Sequence, residues 1–102
     1  MTALSVGPSV IRETVLLAAL EVPGVIRVGR AGSRLHRLVG GSPIRVRVRD
    51  GRVHVTIWLI ARPRQPLDAL TTQVRDAVGG AVVRLLGLEL GGVTVLVDGV
   101  GA

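Results

Sequence analysis

Cysteine, lysine, asparagine, phenylalanine and tyrosine are all missing from this chain of 102 residues, and Trp58 is its single large aromatic residue. Without cysteine there is no disulfide and no thiolate metal site, and the redox compartment is left open. With one large ring, the core must be filled by Val, Leu, Ile and Ala through many small contacts between branched side chains. The apolar fraction of 48% suffices for that, and at this length the chain holds one core, too small for two. All 13 basic residues are arginines, a choice that says more about a GC-rich genome than about function.

Long hydrophobic runs are missing as well. No uncharged apolar run, Thr14 to Leu20 included, approaches the roughly 20 residues of a spanning helix. Met1 to Pro8 lacks the positive start and apolar stretch of a signal peptide. A soluble, cytoplasmic domain is expected.

Chemistry-bearing patterns are equally scarce. The two histidines, His36 and His54, have no second His, Cys or carboxylate at metal-ligand spacing, and they read as surface residues. Ser5, Ser9, Ser33 and Ser42 lack a nucleophile-elbow context. Gly29-Arg30-Ala31-Gly32-Ser33 would cradle a phosphate if it opened a helix, but it leads into a basic loop. The seven carboxylates are scattered about one per element, which argues against a paired acid and base. The expectation is a protein that is not an enzyme, with no catalytic residue, no metal and no cofactor.

What is present is strong patterning. Ser9 is suited to cap a helix whose apolar positions are Val10, Ile11, Val15, Leu17 and Ala18. Pro23-Gly24 stops it near residue 22, since proline cannot continue a helix and glycine accepts positive φ. Val25 to Val28 is a short strand candidate, followed by a Gly- and Arg-rich loop over 29–42. Ile44, Val46 and Val48 then alternate with Arg45, Arg47 and Arg49, which predicts a strand over 44–49. Asp50-Gly51 is a tight-turn signal. Val53, Val55, Ile57 and Leu59 resume the buried face of a strand over 52–61, leaving His54, Thr56, Trp58 and Ile60 outward.

Pro66 and Asp68 suit the start of a second helix over 66–87. Its predicted apolar face is Leu67, Leu70, Val74, Ala77, Val78, Ala81, Leu85 and Leu88. Gly79-Gly80 inside it reads as close packing against a neighbour. A last strand over 92–98 buries Val93, Val95 and Val97 and leaves Thr94, Leu96 and Asp98 outward. The order α-β-β-β-α-β predicts an α+β, two-layer sandwich: two helices on one face of a small mixed or antiparallel sheet, the other face uncovered. The last strand pairs either with the second hairpin strand in parallel or with the first in antiparallel fashion.

Four features carry a family resemblance: Glu21-Val22-Pro23-Gly24-Val25, the Asp50-Gly51 hairpin, Val74 with its polar flanks, and the Gly87-Leu88 stop before the valine strand. Together they make the chain resemble the alkaline shock protein family of bacterial envelope-stress domains, as a single domain over 1–102 with its core about 6–100. The first helix, Pro-Gly-Val and strand are also similar to ferredoxin-like metal-carrier domains, but those need a Cys-x-x-Cys loop. The family resemblance implies an abundant cytoplasmic protein, self-associating and gathered at the membrane by an anchoring partner. The arginine-rich loop and hairpin depart from that family's mixed Lys/Glu surface.

Charge placement is the remaining signal. Between Arg27 and Arg52 lie eight arginines and one acid, Asp50, a local net charge of +7; the remainder, with five arginines and six acids, carries −1. Arg30, Arg34, Arg37, Arg45, Arg47, Arg49, Arg52 and Trp58 are therefore the candidate partner-binding residues. Their occupant is expected to be an acidic or membrane-anchoring protein, or an anionic lipid surface. A nucleic-acid platform is the competing class, with phosphate contacts and one stacking ring. The bland alternative is that alternating arginine merely keeps a strand soluble. Trp58, Ile60 and Leu96 form the candidate apolar patch for a homo-oligomer.

Overall fold

Proline and glycine punctuate the chain as their stereochemistry requires. In a computed structural model, which describes residues 6–30 and 41–101, helix α1 spans Pro8–Leu20. Extended Gly7 is its N-cap, and Pro8 sits in the first turn, where its missing N–H is not needed. Ser9 thus lies inside the helix rather than capping it, and the amides of Val10 and Ile11 donate to the Gly7 carbonyl. The Pro23–Gly24 turn leads into β1, Val25–Val28. Gly24 is buried, and a Cβ there would lie 2.6 Å from Leu70 Cδ1 and overlap Gln65. The Glu-Val-Pro-Gly-Val phrase therefore needs glycine for close approach. Arg62 ties the turn down, donating from its backbone N to Gly24 O (2.9 Å) and from Nε to Pro23 O (2.8 Å).

Strand β2, Ile44–Arg49, and strand β3, Arg52–Ala61, form an antiparallel hairpin with unbroken register from Ile44↔Ile57 to Arg49↔Arg52. Asp50 and Gly51 turn it with φ of 51° and 75°, the left-handed pair that matches strand twist. Helix α2, Leu67–Leu86, ends at Gly87 in the left-handed conformation, φ 66°. Pro66 is its N-cap and Asp68 lies in the first turn. Strand β4, Glu89–Val100, follows directly and is longer at both ends than the valine alternation predicts.

Strand β3 organises the sheet. Parallel β4 runs along one edge of it, from Arg52↔Glu89 to Ala61↔Val100, so the sheet is mixed. Its other edge is shared end to end by two antiparallel strands, β2 along residues 52–57 and β1 along residues 59–61. Both helices pack on the face carrying Val53, Val55, Ile57 and Leu59, which are at most 2% exposed. Val15, Val74, Val78 and Val82 meet them from the helices, so the core is built of branched aliphatic side chains, as the missing rings dictate. Gly79 is buried, and a Cβ there would lie 3.0 Å from Leu90 Cδ2. Gly79 lets α2 approach the sheet, whereas a Cβ at Gly80 would meet only the Arg84 guanidinium of the same helix.

The predicted helix faces need correction at their ends. Leu85 is 76% exposed and Leu17 57%, while Val10 and Leu67 also face outward; Gly79 and Val82 are buried instead. Helical periodicity reports angle about the axis, not where the neighbouring element stops. Leu17 and Leu85 face each other across an open groove between the two helices instead of entering the core, and Leu67 projects from the first turn of α2. Ile60 is the second correction. It lies on the outer face as predicted, yet it is only 4% exposed, packed with Ile26 against Gly101.

Candidate interaction face

The outer sheet face, free of helices, carries the predicted charge in rows set by strand pairing. Arg49, Arg52 and Glu89 form the row at the turn; Arg47, His54 and Gly92 the next; Arg45, Thr56 and Thr94 the third. Trp58 and Leu96 are neighbours in the fourth row, and Arg27, Ile60 and Gly99 lie beyond them. Alternation in β2 sends every arginine to this face because its valines and Ile44 are turned to the core. All four of Arg45, Arg47, Arg49 and Arg52 are exposed.

Trp58 occupies the junction where β2 gives way to β1. Its backbone N–H donates to Pro43 O and its carbonyl accepts from Gly29 N, both at 2.9 Å. This brings Arg30, just past the end of β1, and Arg45 of β2 to one ring. The Arg30 guanidinium carbon lies 4.0 Å from the ring centroid and that of Arg45 lies 5.4 Å from it, both within cation–π range. Arg30 Nε is buried without a hydrogen-bond partner among the described residues, so the ring is what its guanidinium rests on. The arrangement holds two guanidinium groups in place before any partner arrives.

Beside this junction, His54, Arg47, Arg49 and Thr56 line a shallow cleft of about 150 Å³. A wider one of about 520 Å³ opens between Arg49, Asp50, Arg52, His54, Glu89 and Gly91. His54 packs over Gly91, where any side chain would overlap its imidazole. Among the described residues no cluster of three potential metal-ligating groups occurs, and no helix is long and apolar enough to cross a membrane. Arg34, Arg37 and His36, with Ser5, Ser33 and most of the predicted 29–42 loop, lie outside the described residues.

Of the predicted residues, the structure therefore gathers Arg30, Arg45, Arg47, Arg49, Arg52 and Trp58 on one face. In the self-association patch it keeps Leu96, 39% exposed, beside half-buried Trp58, whereas Ile60 is covered within the monomer. Arg27 joins the face through its pairing with Ile60; the charge count included it, but nothing in the local pattern oriented it. A groove of about 430 Å³ between the helices, with Leu17, Ala18, Ala81 and Leu85 in its walls, was hidden because those leucines read as core.

Solved structures share this architecture. The copper form of MamM CTD superposes with a TM-score of 0.65 at 17% identity, covering 90% of this chain and 85% of that one. A zinc form of a MamM CTD variant gives 0.66 at 16% identity, covering 92% and 87%. At such identity the likeness is one of fold. No curated protein sequence matches the chain. The family signature extends across the whole sequence: residues 1–102 match the alkaline shock protein 23 family, described as having a cell envelope-related function, and the chain belongs to that family.

Proposed function

We propose that the chain is a non-enzymatic interaction protein of the cell envelope whose uncovered sheet face docks an acidic protein partner at the membrane periphery. One observation carries this: Arg45, Arg47 and Arg49 stand in a row along β2 with no acid beside them on that strand. Asp50 sits in the turn just past Arg49, Glu13, Glu21, Asp68 and Asp76 belong to the helical layer or its margin, and Glu89 and Asp98 lie on β4, across the width of β3. Charge of one sign on one side favours steering and orientation of an oppositely charged surface.

Trp58 helps to decide between partners. A base-stacking platform needs a bare ring face, and here Arg30 lies over the ring at 4.0 Å. That supports a carboxylate-binding face with arginines held by the ring, over a nucleic-acid platform. Self-association is a separate part of the proposal, and it rests on Leu96 beside Trp58.

The test is charge reversal of Arg45, Arg47 and Arg49 to Glu, followed by capture of partners from a bacterial lysate. The expected result is a folded protein that loses an acidic protein partner retained by wild type, with wild-type capture weakening as salt rises. Unchanged capture would reduce the face to a solvating role. Tight binding of wild type to random RNA at physiological salt, lost on Trp58→Ala, would transfer the function to nucleic acid.

A further inference from the structure

We infer that the outer edge of β2 accepts an extended acidic segment as an added strand, one whose acidic residues alternate with apolar ones. The inference rests on the acidic-partner reading and adds the form the partner takes. It begins with the hydrogen-bond phase of the hairpin. Trp58 N–H donates to Pro43 O at 2.9 Å, which makes Pro43 and Trp58 a bonded pair, and in antiparallel strands bonded and non-bonded pairs alternate. Arg45, Arg47 and Arg49 therefore direct their backbone groups toward β3, consistent with Arg49 and Arg52 closing a two-residue turn. Ile44, Val46 and Val48 direct theirs outward, and no strand pairs with that edge among the described residues.

A segment added there in antiparallel fashion would bond to the backbones of Val46 and Val48. Its residues opposite the arginines would then occupy non-bonded pairs, where side chains approach most closely. Arginines at every second position repeat at about 6.8 Å, the same repeat as alternate carboxylates on an extended chain. The other face supplies the second half of the code. Val48 is 64% exposed and Val46 half-buried on the inner face, so alternate apolar residues of the segment would cover them. The edge of β4 is less suited, because register shifts opposite Val53/His54 and Leu59/Ile60 interrupt it. Two β2 edges would repel, since pairing them sets arginine against arginine.

Fluorescently labelled peptides alternating Asp and Val test this against a peptide of the same composition in two blocks, by anisotropy at low salt. The alternating peptide should bind about tenfold more tightly or better. That advantage should disappear on Val48→Pro, which removes an outward N–H of an edge strand without touching the β3 ladder. It should also disappear for a peptide N-methylated at its valines, which decides the matter on wild-type protein if Val48→Pro does not fold. Equal, salt-sensitive binding of both peptides, unaffected by either change, would overturn strand addition while leaving the acidic-partner reading intact. Binding of neither peptide, with or without capture of anionic lipid vesicles, would overturn both.

Discussion

Trp58 is the residue on which the face turns. Its backbone joins the ends of two strands and its ring supports two guanidinium groups. With no Tyr or Phe in the chain, its emission reports on the face alone. Occupation of the arginines by an acidic peptide should shift that emission in wild type, and the shift should vanish in Arg45→Gln/Arg47→Gln. Two glycines make a second comparison. Gly24→Ala drives a methyl group against Leu70, itself 1% exposed, and overpacking of a filled core costs about 1–3 kcal/mol. Gly91→Ala meets only the far end of the half-buried His54 ring, which can rotate away. Chemical denaturation should therefore rank Gly24→Ala well below Gly91→Ala in stability.

Each element shows local stereochemistry setting its ends and neighbours setting its buried face. Val55 is 1% exposed at the centre of β3, between β2 and β4 and beneath both helices. Val55→Ala should cost about 2–4 kcal/mol, because a core without large rings has few bulky neighbours to refill the cavity. Leu85→Ala, at 76% exposure, should cost about 0.5 kcal/mol or less, in the range of surface substitutions. His54→Ala should stay below about 1 kcal/mol, because the half-buried ring lies on the outer sheet face and leaves no cavity in the core. Urea melts showing Leu85 to be as costly as Val55 would mean that the groove between the helices is filled in solution.

Taken as one body, the molecule is electrically two-sided. The segment from Arg27 to Arg52 holds eight of the 13 arginines, and its described part lies on the sheet side, while the helical side mixes both signs. Charge reversal of Arg45, Arg47 and Arg49 leaves every buried valine in place, so thermal stability should be kept or improved by relief of repulsion. Partner binding should be lost. Wild-type binding should weaken progressively as salt shortens the screening length to about 10 Å at 0.1 M. Sedimentation of Leu96→Asp tests self-association separately, with a shift toward monomer as the expected outcome.

Much of this architecture was legible from residues a few positions apart. The alternation in 44–49 and 52–61, the Asp50-Gly51 turn and the stops at Pro23-Gly24 and Gly87 all act through local sterics and side-chain period. They were enough to assign the two layers, the inward valines and the family. The arginine row was legible for the same reason, since the period of two that turns Ile44, Val46 and Val53 inward must turn Arg45 and Arg47 outward. What was not legible depends on contacts between distant segments. That β1 and β2 share one edge of β3, and that β4 runs parallel on the other, follows from which pairing buries the valine face best. No local pattern encodes that. The placement of Arg30 over Trp58, the covering of Ile60 beside Ile26 and Gly101, and the exposure of Leu85 in the groove between the helices were decided in the same way, because burial belongs to the assembled layers and period alone supplies only the angle.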